Sequence, residues 1–172
     1  FSRGGRFIGN EFFILTEECR GTGNYRLISV NVKSGSMTMR QLYTTTKEYF
    51  ACCQGKTFDV DNSGNLFIVV PRSGKYDDKV LRKVTSNGVI SDLLNFGSAD
   101  VSILSDLKGS LYVASLGVIR KFSTLSWTSE VVAKYEGTSP IMSLDVDDSI
   151  LLFYTVYPNG SKDVTNYFYK LT

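Results

Sequence analysis

Apolar and polar positions along this chain fall into a phrase that recurs with variations: a short apolar run, a tight polar turn, then a stronger apolar run. It reads TFDVDNSGNLFIVV at Thr57 to Val70, DVSILSDLKGSLYVAS at Asp100 to Ser115 and PIMSLDVDDSILLFYTV at Pro140 to Val156. A looser copy, GRFIGNEFFILTE, runs from Gly5 to Glu17. Short runs rich in Val, Ile, Phe and Tyr, bounded by Gly, Asn, Asp and Ser, are strand signals; helical periodicity is nearly absent.

The second strands of the four units are predicted at Phe12 to Thr16, Leu66 to Val70, Leu111 to Ser115 and Ile150 to Thr155. Third strands share a short ending: Ser29-Val30-Asn31, Lys83-Val84-Thr85, Lys121-Phe122-Ser123 and Lys170-Leu171-Thr172. Counted from Phe12 to Val30, Leu66 to Val84, Leu111 to Phe122 and Leu151 to Leu171, the separations are 18, 18, 11 and 20, as expected for variable loops between fixed strands. Fourth strands follow at Met39 to Tyr43, Val89 to Phe96 and Glu130 to Tyr135, the first two after the glycine turns Lys33-Ser34-Gly35-Ser36 and Ser86-Asn87-Gly88. The last unit stops at its third strand, so the pattern holds fifteen strands.

This pattern predicts an all-β fold: a β-propeller or propeller segment of about four blades, each of four antiparallel strands, with the last blade lacking its fourth. The blades are expected at about 5–46, 56–96, 99–136 and 139–172 of a single domain. Near-continuous apolar second strands such as LFIVV and ILLFY predict sheets buried on both faces. A β-sandwich of the same strand number is the alternative. Because strands alternate in direction, the first-to-second and third-to-fourth turns should share one end of the molecule. The second-to-third loops and the linkers between blades should share the other.

Composition narrows the chemistry. Ten Tyr and eleven Phe among 172 residues favour strands, and a net charge of +2 with interspersed signs offers no electrostatic footprint for nucleic acid or an anionic membrane. No apolar run is long enough to span a bilayer as a helix. With no histidine, Ser-His-Asp and Cys-His nucleophile systems and His-ligated zinc or haem are excluded. The chain begins FSRGGRF without an initiator Met or a signal-peptide pattern, the expectation being a removed leader or a longer polypeptide.

The phrase FDVDNSGNLFIV, followed by RKVTSNGVIS, resembles the NHL-repeat and gluconolactonase/strictosidine-synthase-like group of six-bladed propellers. The resemblance covers Thr57 to Phe96 well and Asp100 to Tyr135 moderately. It implies the propeller architecture, with the polar turn joining the first two strands of a blade. That group includes calcium-dependent lactonases and non-enzymatic interaction domains. No axial metal ligand of the enzymes matches a position here, so no catalytic residue is carried over.

Candidate sites follow from residue chemistry. Asp59, Asp61 and Ser63, with Gly64, form the front half of a calcium loop, but its ninth and twelfth positions fall on Phe67 and Val70, which are not side-chain ligands. The other reading is a hairpin turn in which aspartate caps backbone amides. Cys19, Cys52 and Cys53 are expected at one end of the molecule, with a disulfide from Cys19 to one of the vicinal pair set against three free thiols. Asn159-Gly160-Ser161 is a glycosylation sequon. Long loops at that same end carry Arg20, Arg72, Tyr76, Asp77, Asp78, Tyr157 and Lys162, a mixture of charge and tyrosine suited to partner binding.

These features predict a non-enzymatic, secreted or extracellular propeller module. It would need no cofactor and would bind a protein or glycan, or a further chain segment completing the propeller, within a larger assembly. A calcium-dependent lactonase and a lectin are the competing expectations.

Overall fold

The computed structural model describes residues 2–17, 24–44, 57–72, 77–145, 148–156 and 165–171. Fifteen strands among them form four antiparallel sheets, each with its strands in chain order. The first sheet holds β1 (Ser2–Ile8), β2 (Glu11–Glu17), β3 (Asn24–Asn31) and β4 (Met37–Thr44). The second holds β5 (Phe58–Val60), β6 (Leu66–Pro71), β7 (Lys79–Val84) and β8 (Ile90–Gly97). The third is β9 (Val101–Ser105), β10 (Ser110–Ser115), β11 (Val118–Ser123) and β12 (Ser129–Lys134). The fourth has three strands: β13 (Thr138–Leu144), β14 (Ile150–Val156) and β15 (Thr165–Leu171).

β6 shows why these sheets stack serially. Every residue from Leu66 to Pro71 is buried. Leu66, Ile68 and Val70 pack with Leu15 and Leu27 of the first sheet, while Phe67 and Val69 pack with Ile103, Leu111 and Phe122 of the third. Alternate side chains thus fill opposite interfaces, as the period of two requires. A two-layer sandwich leaves one face of each sheet to solvent, so the sandwich alternative fails here. A third core joins Leu104, Ala114 and Ile119 to Met142, Ile150 and Leu152 of the fourth sheet. β9 lies beside both β5 and β13, so the first strands of successive sheets are innermost.

The expected equivalences hold in three sheets: Phe12 pairs with Val30, Leu66 with Val84 and Leu111 with Phe122. In the fourth, Leu171 pairs with Ile150, and Leu151 with Lys170. The count from Leu151 was therefore offset by one residue. Three consecutive apolar residues, Ile150-Leu151-Leu152, conceal the parity; burial settles it, because Ile150 and Leu152 enter the core and Leu151 faces the other way.

That parity corrects a second expectation. The run ILLFY is buried on one face only. On the other, Leu151 and Phe153 are half-buried beside Ile141 and the exposed Phe168. The first sheet has a matching open face, where Phe7 lies against Phe12 and is 60 % exposed, in a row with Val30 and Met37.

The repeated lysine of the third strands also has a physical basis. Across the β6–β7 pair the Lys83 ammonium lies 5.6 Å from the Phe67 ring centre, and across β10–β11 Lys121 lies 5.7 Å from that of Tyr112. Such cation–π contacts contribute about 0.5–1 kcal/mol at exposed sites. Opposite Lys170 stands Leu151, and the ammonium instead donates to Asp145 at 2.8 Å.

Candidate binding cleft and strand edge

Strand direction sorts the loops as expected. At one end, turns between first and second strands bond to turns between third and fourth: Val32 N donates to Asn10 O at 2.8 Å, and Thr124 N to Gly109 O at 2.9 Å. At the other end, Tyr135 N, just past β12, donates to Gly117 O in the β10–β11 turn at 2.8 Å. This second end is where the sequence places the long loops. It is also where a cleft between the third and fourth sheets opens.

The cleft encloses about 660 Å³, between Leu116, Ala133, Lys134, Tyr135 and Glu136 on one side and Tyr154, Tyr167, Tyr169 and Leu171 on the other. A second hollow of about 610 Å³ continues it past Leu171 to Lys121, Glu130 and Lys170. Four tyrosines give it its character. Tyr154 lies opposite Tyr167 in the β14–β15 pair, with ring centres 5.4 Å apart, and stacks diagonally on Tyr169 at 5.8 Å. Tyr135 tilts onto Tyr154 at 5.2 Å. Gly137 makes room for this cluster, since a Cβ there would stand 2.5 Å from the Tyr154 ring and 2.6 Å from Thr155 O.

Burial pushes the Tyr135 phenol up to about 12 despite hydrogen bonding to the Gly117 backbone. Burial, and then the Tyr169 hydroxyl beside it, also push Tyr154 upward. Both phenols are therefore neutral at physiological pH: hydrogen-bonding groups in an aromatic wall.

At the mouth stands a strained residue. Leu116 and Gly117 form a two-residue hairpin between Ser115 and Val118, with φ of 52° and 76°. Both positions need left-handed backbone, which suits Asn-Gly and penalises Leu. Leu116 is nonetheless there, 78 % exposed.

β15 forms the far wall and the end of its sheet. Tyr167, Tyr169 and Leu171 line the cleft, and among the described residues only β14 pairs with this strand. Tyr167 and Tyr169 remain 39 % and 49 % exposed. The sequence reading missed this site, although the Y-F-Y alternation at Tyr167 to Tyr169 carried a signal once paired with Tyr154.

The residues singled out from sequence stand elsewhere. Asp59 is fully buried in β5; its Oδ2 accepts Ser105 N at 2.7 Å and faces Arg6 Nη1 at 3.3 Å, while its Oδ1 accepts Val60 N at 2.9 Å. Asp61 occupies the β5–β6 turn: Oδ1 accepts Ser63 N and Asn65 N, both at 2.9 Å, and Oδ2 accepts Asn65 Nδ2 at 2.8 Å. Asp106 repeats the arrangement, accepting Lys108 N and Ser110 N. In the fourth sheet Asp148, at φ 63°, takes the left-handed position that Gly64 and Gly109 hold in the other two turns. Among the described residues, no three acidic or cysteine side chains gather as a metal site needs. Arg72 and Asp78 close the β6–β7 loop, Arg72 N donating to Asp78 O at 2.6 Å, with their charged groups 3.9 Å apart beside the exposed Asp77. Cys19, Arg20, Cys52, Cys53, Tyr76, Tyr157, Asn159 and Lys162 lie outside the described residues.

No family model matches the chain, and no curated protein matches it. Solved structures do. An auxiliary nutrient binding protein from Bacteroides thetaiotaomicron VPI-5482 superposes with a TM-score of 0.55 over 95% of this chain, at 12% identity. A prolyl endopeptidase superposes with a TM-score of 0.54 over 87% of it, at 14% identity. Both neighbours contain propellers, and with the serial four-sheet stack this decides the architecture. The chain is a β-propeller segment. It spans 40% of the first neighbour's chain and 24% of the second's, and at these identities the likeness concerns the fold alone.

Proposed function

We propose that this segment is a non-enzymatic, protein-binding module whose free sheet faces are covered by further blades in a larger ring. One observation carries the reading: β14 has the apolar run of a strand buried twice, yet only one of its faces is covered among the described residues. Inside the segment, each interface sets one sheet's face against the next sheet's opposite face. The open faces of the first and fourth sheets are each one half of a further interface of this kind. Covering a Phe or Ile side chain contributes about 1.5–3 kcal/mol. Kinship with the NHL-repeat and gluconolactonase-like propellers stays within this proposal, carried by the Thr57 to Phe96 phrase. So does an extracellular location, which glycan on Asn159 of the secreted protein would support.

The test is solution mass by light scattering across a concentration series. Association that Phe168→Asp weakens supports the reading; a strictly monomeric chain that binds no apolar dye sinks it. The lactonase reading predicts that millimolar calcium raises the melting temperature, and the lectin reading predicts saturable binding on a glycan array. The commitments of Asp59 and Asp61 to protein donors weigh against the first.

A further inference from the structure

The tyrosine cleft opens where one side chain is small. Between the second and third sheets, Leu94 of β8 stands opposite Leu81 of β7 and packs with Phe96 against the shared core. Between the third and fourth, Ala133 of β12 holds the equivalent place opposite Ile119 of β11. The volume that a leucine would fill there is part of the hollow walled by Tyr154, Tyr167 and Tyr169. Contacts among the rings then select the ligand. A cage for a cation needs rings set apart around the charge, but Tyr154 lies only 5.2 Å from Tyr135 and 5.8 Å from Tyr169 between ring centres. A sugar needs carboxylates or amides to pair its hydroxyls. Among the described lining residues Glu136 is the one carboxylate, and none is Asn or Gln. What the cleft offers instead is ring surface, the aliphatic Leu116 and Val156, and phenol hydroxyls. Burial keeps Tyr135 and Tyr154 protonated, so they remain hydrogen-bonding groups without charge.

We propose that the cleft between the third and fourth sheets binds a proline-rich segment of a partner protein in the polyproline II conformation. That helix has no internal hydrogen bonds, so its carbonyls are free to accept from tyrosine hydroxyls while proline rings pack on aromatic faces. It is also pre-formed, so docking costs less ordering than a flexible peptide would. Tyr167 and Tyr169, alternate residues on one face of β15, form a partly exposed ridge with ring centres 6.5 Å apart. At the mouth, the exposed Leu116 side chain is held in left-handed backbone, a strained position of the kind found at ligand clamps. This site rests on the reading that the chain binds protein, but it lies between two sheets of the chain rather than on an open face.

The probe is decaproline, titrated into the full chain and followed by amide and methyl chemical shifts. The expected result is saturable binding, with shifts centred on Leu116, Ala133, Tyr135 and the tyrosines of β15. A Gly-Ser peptide of the same length should leave them unmoved. Ala133→Leu supplies the side chain that β8 carries at this place and removes no tyrosine. It should weaken decaproline binding about tenfold or more, as blocking a buried hot-spot pocket does, while the melting temperature stays within a few degrees of the parent. Tyr169→Phe is the second variant; it keeps the ring, loses one hydroxyl, and should weaken binding several-fold. Saturable shifts at the cleft that either variant weakens support the site. No saturable binding at millimolar decaproline, shifts elsewhere on the chain, or affinity unchanged in both variants overturns it. Cellohexaose is titrated in parallel, and a sugar that moves the cleft residues where decaproline does not also overturns it. Phe168→Asp lies on the opposite face of β15, so it should weaken association in light scattering and leave decaproline binding intact. Failure of the cleft and failure of face-to-face assembly are thereby read separately.

Discussion

Arg6 Nη1 lies 3.3 Å from Asp59 Oδ2, joining the first sheet to the second, while Arg6 Nη2 donates to Ser105 O of the third at 2.7 Å. With Ser105 N bonded to the same carboxylate oxygen, one buried ion pair ties three innermost strands together.

Breaking that pair should be among the costliest single changes. Asp59→Ala leaves a largely buried guanidinium and the Ser105 amide without their acceptor, a loss on the order of 3–5 kcal/mol. Replacing both partners by Leu should recover part of it, since the charge is gone but the amide is still unsatisfied. Urea denaturation of the two single variants and the double variant measures this. Equal losses in Asp59→Ala and the double variant would contradict it.

Asp61 offers a cleaner separation of turn from metal ligand. An asparagine keeps the Oδ1 that accepts Ser63 N and Asn65 N, so Asp61→Asn should stay within about 0.5 kcal/mol of the parent. Asp61→Ala should lose about 1–2 kcal/mol, as capping residues do. Thermal melts with and without calcium provide the check. A calcium ligand would instead show a metal-dependent melting temperature that Asp61→Asn abolishes.

Such turns explain why so much of the architecture was legible in the sequence. Asp61, Asp106 and Asp145 each open a turn whose signal is local, and β6 shows its burial as an unbroken apolar run. The register of β14 was less legible, because Ile150, Leu151 and Leu152 are interchangeable by hydropathy and only packing reveals their parity. The cleft was missed for a different reason. Tyr154, Tyr167 and Tyr169 come from two strands and Tyr135 from just past β12, and no spacing along the chain announces a cluster assembled across two sheets. The Arg6–Asp59 pair, 53 residues apart, was hidden in the same way.

Leu116 breaks a local rule at the mouth of the cleft, and functional sites are where such breaks are expected. A left-handed Leu costs roughly 1–2 kcal/mol relative to a residue suited to that backbone. Leu116→Asn should therefore stabilise the fold by about 0.5–1 kcal/mol, raising the melting temperature by a few degrees. Lower stability in Leu116→Asn would show that the leucine is held by packing instead.

Alkaline pH should weaken the fold through the tyrosine cluster. Tyr135 has its phenol raised from 10.0 to about 12 by burial, and Tyr154 moves in the same direction. The unfolded chain thus releases these protons at lower pH than the folded one. The Tyr135 contribution to stability is complete below pH 10 and is lost as pH rises toward 12, since the folded state binds the extra proton within that window, and Tyr154 acts in the same direction. Denaturation midpoints measured from pH 9 to 12 should fall in the parent and fall less steeply in Tyr135→Phe, which has no phenol to ionise. An unchanged slope in that variant would mean that the Tyr135 hydroxyl meets solvent in the folded protein, and that the cleft is wetter than its aromatic wall implies.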